Sequence, residues 1–370
     1  MKPFLYRLVP VFLLLCTACT EAEIVLPGFG GDDPEEGVPF RVKNLGMWME
    51  VESRSVVTGG PGETNRNPNP LTGIGICVTK QNSSGTEILY NNAVGSQQFV
   101  YNPAGSPPLW ELAEGEETLL LYSEKGTVYG YAPAEKSVSL AGIPKALLMN
   151  SIKVLDEQKF YFSDGSATVN AATDVQWETD QEDYLYCTAA DQVDRWHPEV
   201  SLTMNHALAK VSFRVLEVNA GSSFAGCRVA KIVLKSNGGF KKSAAAQLNL
   251  VTGETTGTIM PVDLLQFTAG GDKRVVGTGT EETSEVPVQA FGLVIPVSDV
   301  GISLELTLDD GRTFNMVPGA DSDVPGTFTA SWEKGYNYIY NIRMSPQGIE
   351  IADVKVAGWN DGGSVDIPVE

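Results

Sequence analysis

Only five cysteines occur in the 370-residue chain, and two of them, Cys16 and Cys19, stand at the end of an apolar run in LLLCTACTEAE. Everything before them reads as an address. The run Leu8–Leu15 follows a short start carrying Lys2 and Arg7, the layout of a bacterial export signal. It is shorter than the roughly 20 apolar residues a spanning helix needs. The other cysteines, Cys77, Cys187 and Cys227, are odd in number and lack metal-ligand spacing. Their settings, GICVT, LYCTA and AGCRV, read as small buried hydrophobes in strands, with a pairing of Cys77 or Cys187 to Cys227 left open. The two histidines make no constellation: His206 lies on an apolar phase and reads as a core residue rather than a ligand or base, and His197 sits beside Trp196 and Pro198. With no G-x-S-x-G, H-E-x-x-H or P-loop, no enzyme, metal or cofactor is expected. The glycine-rich TAGGDKRVVGTGTEE reads as a hairpin loop rather than a phosphate cradle.

The elements that must carry these residues are strands. Beyond an acidic, Gly/Pro-rich tether over 19–37, nearly every apolar pattern has period two. In ISLELTL the residues Ile302, Leu304, Leu306 and Leu308 share one phase, and in YNYIYNIRM so do Tyr336, Tyr338, Tyr340, Ile342 and Met344. Turn signals such as DDG, SNGG and VPGT punctuate them at short intervals. The expectation is an all-β, mostly antiparallel protein of two β-sandwiches in series, 38–199 and 200–370, meeting near DQVDRWHPEV. Short helices are expected only near Val262–Phe267 and Ile143–Met149. SLTMNHALAKVSFRV changes phase partway, which calls for a bulge or crossing near Ala209–Lys210. The formal net charge of −20, from 26 Lys+Arg against 46 Asp+Glu, repels phosphate backbones, so nucleic acid is not an expected partner.

Thr17 and Ala18 directly before Cys19 resemble the lipobox of bacterial lipoproteins. That resemblance implies a signal over 1–18 cut after Ala18 and a diacylglycerol on Cys19, the alternative being an ordinary secretory signal. More than one acyl chain anchors stably without a spanning segment. At ~3.3 Å per residue the tether would reach about 60 Å from the lipid. SLTMNHALAKVSFRV is also similar to the H-x-L-A-K-V strand of the fimbrillin-like proteins of the Bacteroidetes. VYGYAPAE, DYLYCTA, WEKGYNYIYNIRM and VKVAGWNDGG resemble further segments of that family, in its order. The resemblance implies two transthyretin-like β-sandwich domains in a pilus subunit, exported as a lipoprotein precursor to the outer membrane and cell surface. It also implies assembly with other pilus subunits by strand exchange, once an arginine-specific protease has removed the first strand.

For that route the first strand would be VPFRVKNLGMWMEV, followed by a polar, Gly/Pro-rich loop. Arg54 followed by Ser55 is the expected maturation site, because loop tips admit proteases; Arg66 is the second choice, and Arg41 would be shielded within the strand. The candidate donor is the tail, GGSVDIPVE, with Val365, Ile367 and Val369 on one phase and Pro368 removing a ladder donor. A tail that serves as the final strand of its own domain would instead place the subunit at a tip or minor position rather than in the stalk, and that position is favoured. The alternative reading is a surface glycan-binding outer-membrane lipoprotein, with Trp110, Trp177, Trp196 or Trp359 as stacking platforms; a host or glycan receptor is compatible with either.

Overall fold

A computed structural model describes residues 36–47, 71–90, 95–104, 109–141, 146–162, 177–218, 224, 226–278, 286–317, 326–358 and 364–367. Among them every regular element is a strand. The alternation read from ISLELTL holds: Ile302, Leu304, Leu306 and Leu308 are all buried in the strand Val297–Leu308. Where short helices were expected the chain is extended. Val262–Phe267 lies in the strand Thr255–Ala269, and the described end of Ile143–Met149 lies in Ala146–Val154. Both runs pair with the 21-residue strand Val229–Asn249, whose ladders turn Leu265 and Phe267 inward and leave Leu264 exposed. Sheet pairing outweighs weak local preference.

The strands form three larger sheets and a two-stranded one. The eight-stranded sheet runs Arg41–Met47, Glu199–His206, Leu185–Thr188, Thr127–Ala132, Gly73–Gln81, Gln97–Asn102 and Leu109–Leu112, with Glu87–Leu89 paired to Gly73–Gln81. Its two faces feed different cores: Ile74, Ile76 and Val78 pack with Phe40, Val42 and Phe99, whereas Cys77, Tyr129 and Tyr131 pack with Met149, Ile152 and Leu248. The nine-stranded sheet is built around Val229–Asn249, which pairs with Ala146–Val154, Val297–Leu308 and Thr255–Ala269. In the six-stranded sheet, Ala209–Glu217 and Gly348–Gly358 flank Tyr336–Ser345. Most ladders are antiparallel, and Gly37–Glu370 holds together as one compact unit.

The phase change in SLTMNHALAKVSFRV is a crossing between sheets. Glu199–His206 belongs to the eight-stranded sheet, a bend follows at Ala207–Leu208, and Ala209–Glu217 continues in the six-stranded one. The boundary expected between residues 199 and 200 falls at the start of the first of these strands.

Candidate functional site

The segment to which the sequence assigned the activity is the first strand. Val38–Pro39 pairs antiparallel with Leu120–Leu121, and the next two amides reach different neighbours. Phe40 N–H donates to Leu119 O and Arg41 N–H to Pro198 O, each at 2.9 Å. From there Arg41–Met47 runs parallel to Glu199–His206 as the terminal strand of the eight-stranded sheet. Val42 faces Val200 but Asn44 faces Ser201, so Lys43 is an extra residue on this strand. That bulge accounts for the apolar phase in VPFRVKNLGMWMEV switching between Val42 and Leu45.

Phe40 and Val42 are buried, Leu45 packs against the same core, and the Phe40 ring meets Phe99 edge-on at 5.8 Å. Beside them opens a groove of about 510 Å³ whose apolar walls are Phe40, Val42, Phe99, Trp110, Leu112 and Leu119. The strand is thus held along most of its length by a single ladder and a few apolar side chains, each contributing about 1.5–3 kcal/mol on burial. Its departure would bare the backbone edge of Glu199–His206 and an apolar trough.

At the other end of the chain, Ser364–Ile367 pairs antiparallel with Gly348–Gly358, setting Val365 opposite Val356 and Ile367 opposite Val354. It is the terminal strand of its own six-stranded sheet. Ala18, Cys19, Arg54, Ser55, Arg66 and Val369 lie outside the described residues. Arg41 has an exposed side chain on a backbone tied into the sheet.

The recognised motifs converge elsewhere, at the crossing. His206 Nδ1 lies 3.2 and 3.0 Å from the two Asp183 carboxylate oxygens, and Ala207 N–H donates to Tyr184 O at 2.8 Å. H-x-L-A-K-V and D-x-L-Y are therefore one buried joint. Lys210 in the same joint is fully buried, and burial pushes its amine down to about 7, against the opposing pull of Asp183. The W-x-x-G-x-x-Y-x-Y hairpin closes onto it: Gly335 N–H, at a turn with φ 76°, donates to Leu208 O at 2.9 Å. Trp332 stacks on Phe240 at 5.7 Å and donates its Nε1–H to the Tyr340 hydroxyl at 2.7 Å. His206 is buried, as its place on the apolar phase implied.

All three described cysteines are free thiols. Cys77 and Cys187 are buried in strands, as expected, but Cys227 is not. It precedes Val229–Asn249 half-exposed, accepting from Arg312 Nη2 at 3.0 Å. Among the tryptophans, Trp110 and Trp332 are buried and Trp196 is exposed, while the side chains of Trp177 and Trp359 lie outside the described set. Among the described residues no His/Cys/Asp/Glu group could hold a metal ion, and no helix is long and apolar enough to cross a membrane.

Of solved structures, a candidate cell adhesion protein from Bacteroides uniformis is 18% identical over 85% of this chain and 98% of its own, with a TM-score of 0.46. Another from Bacteroides ovatus is 15% identical over 87% and 98%, with a TM-score of 0.47. The tip fimbrial protein Mfa3 from Porphyromonas gingivalis, with C-terminal truncation, is 9% identical over 85% and 100%, with a TM-score of 0.38. No curated protein sequence matches the chain. The fimbrillin-like family matches residues 67–359, a span that takes in the crossing and the hairpin, and the chain belongs to that family.

Proposed function

We propose that the chain is a structural or adhesive subunit of a surface pilus, made as a lipoprotein precursor and assembled by strand exchange. In this reading Cys19 carries the lipid that holds the precursor at the outer membrane. An arginine-specific protease cuts after Arg54, and the first strand leaves. A strand from a neighbouring subunit then takes the vacated place, gaining main-chain hydrogen bonds along Glu199–His206 and pockets for alternate side chains. The observation that carries the reading is the seat of the first strand: terminal in its sheet, in a parallel ladder, with Phe40 and Val42 buried beside an open apolar groove. The tail bears on position. Ser364–Ile367 is already spent on its own sheet, which supports a tip or minor subunit over a stalk subunit.

Mass spectrometry of the amino terminus, on membrane-held protein and on material sheared from the cell surface, tests the route. The expected result is a lipidated Cys19 on the first and a Ser55 start on the second. A lipidated Cys19 on both, with no cut at Arg54 or Arg66, would overturn it and favour a permanent surface lipoprotein. Filaments grown from the purified, Arg54-cleaved protein alone would refute the tip position, because such head-to-tail contacts propagate only when one subunit supplies both groove and donor.

A further inference from the structure

The first strand and its seat differ in regularity. Glu199–His206 alternates without a break: Val200, Leu202, Met204 and His206 are buried, while Glu199, Ser201 and Thr203 are exposed. A strand laid beside it in regular pairing would present every second residue to the same core. Arg41–Met47 does not. Val42 stands opposite Val200, but the partner of Ser201 is Asn44, and Lys43 is passed over. An inserted residue of this kind interrupts the ladder and bends the strand that carries it.

Two more residues weaken the same segment. Pro39, opposite Leu120, has no N–H to give its ladder. Gly46, opposite Thr203, brings no side chain to the sheet, although its backbone is not left-handed and a Cβ built there would meet nothing within 4 Å. The ladder to Glu199–His206 is also parallel, the less stable sense per residue. What holds the strand is apolar contact from the buried Phe40 and Val42 and the half-buried Leu45. The defect is nonetheless small. Removing Lys43 from PFRVKNLGM leaves PFRVNLGM, in which Phe40, Val42, Leu45 and Met47 fall on one phase. The partners beyond it, Asn44 with Ser201, Leu45 with Leu202, Gly46 with Thr203 and Met47 with Met204, are already in register. One residue therefore separates the strand from an unbroken fit.

We propose that the first strand is a weak occupant of its own seat, kept one residue away from a continuous ladder by Lys43, and that the strand of another subunit which replaces it runs in strict alternation, apolar opposite Val200, Leu202 and Met204. This rests on the strand-exchange reading above and adds its direction. Exchange runs forward because the incoming strand restores the pairing that Lys43 interrupts, whereas a strand carrying the same bulge offers the seat nothing it does not already have. The partner is recognised by the spacing of its apolar residues, since the backbone edge of Glu199–His206 accepts any residue but proline at a donor position.

The test uses the unlipidated precursor, Thr20–Glu370, with a specific protease site inserted between Arg54 and Ser55 and cut after folding, so that the strand keeps its seat until it is displaced. Two labelled peptides compete at equal concentration: residues 38–47 as they stand, and the same segment without Lys43. Native mass spectrometry shows which of them replaces the resident strand. The peptide without Lys43 is expected to be captured in preference by about tenfold, the scale of one restored backbone hydrogen bond. In the chain itself, deletion of Lys43 and, separately, Gly46→Thr should raise the urea midpoint and slow displacement by that peptide, the second variant leaving the bulge in place. Equal or better capture of the natural peptide, or displacement in both variants as fast as in the parent, overturns the proposal and leaves strand exchange standing. Displacement by neither peptide refutes strand exchange itself, and the proposal with it.

Discussion

Lys210 tests the claim that the H-x-L-A-K-V motif is a structural joint. Its amine is fully buried, and desolvation lowers it from 10.5 to about 7, with Asp183 pulling the other way. The sign follows from proton counting. Below pH 7 both folded and unfolded chains hold the proton, and stability does not respond to this group. Between pH 7 and 10.5 the unfolded chain keeps a proton that the folded chain has released, so stability rises with pH. At about 1.4 kcal/mol per unit, raising the pH from 7 to 9 should add about 2–3 kcal/mol from this residue. Lys210→Met keeps the length of the apolar stem and removes the titration. The variant also takes a charge away from Asp183, a loss present at every pH, so the test rests on the slope of the pH profile rather than on stability at any one pH. The assay is urea unfolding of both proteins at pH 7, 8 and 9, extrapolated linearly. Taking the difference between the two cancels the opposing contribution of the buried thiols. The parent should gain on the variant by about 2–3 kcal/mol across that range. Parallel pH profiles would refute the reasoning.

Two further outcomes follow from local geometry. Gly253 has φ +71° and a Cβ there would stand 2.0 Å from the Tyr186 ring, so Gly253→Ala should cost more than about 1 kcal/mol, read as a lowered urea midpoint. Cys77 and Cys187 are buried, with thiols pushed up to about 12 by desolvation, whereas Cys227 is half-exposed. Brief alkylation of native protein at pH 8 followed by peptide mapping should therefore label Cys227 and spare the other two until urea is added; labelling of Cys187 in the native protein would contradict the packing.

What the sequence made legible was whatever depends on one strand at a time. Strict alternation in ISLELTL located the strand Val297–Leu308 and its inward face. The same rule would set Asn337 and Asn341 of YNYIYNIRM on the outward phase, yet both are buried. Asn337 accepts from Ser212 Oγ at 2.8 Å, and Asn341 donates to the Asp353 carboxylate, so the polar phase is satisfied by neighbouring strands rather than by water. Nothing local marks that. Gln158 and Gln289 show the limit most clearly. Gln158 takes the N–H of Leu293 at 3.0 Å and gives a bond to its carbonyl at 2.6 Å, and Gln289 does the same for Val215 at 2.8 and 3.1 Å. Each side-chain amide supplies both bonds where no strand pairs, at Val215 in the gap between the ladders to Ala290–Val294 and Gly277–Thr278, a role set by partners far away in the chain.

The recognisable motifs and the proposed working parts occupy different places for a physical reason. A joint such as His206–Asp183 or Trp332–Tyr340 needs particular side chains, because a buried polar atom is costly unless one specific partner meets it. That demand leaves a motif. Exchange of a strand makes the opposite demand. The seat on Glu199–His206 is read mostly by backbone N–H and C=O groups, which every residue but proline supplies, and by apolar side chains such as Phe40 and Val42 whose shape is loosely specified. A strand that must be replaceable by another chain's strand is better served by interchangeable apolar residues than by a fixed partner. In the proposed assembly the first strand and the tail are therefore the segments in which family motifs should be weakest, and the family match over residues 67–359 leaves out both Arg41–Met47 and Ser364–Ile367.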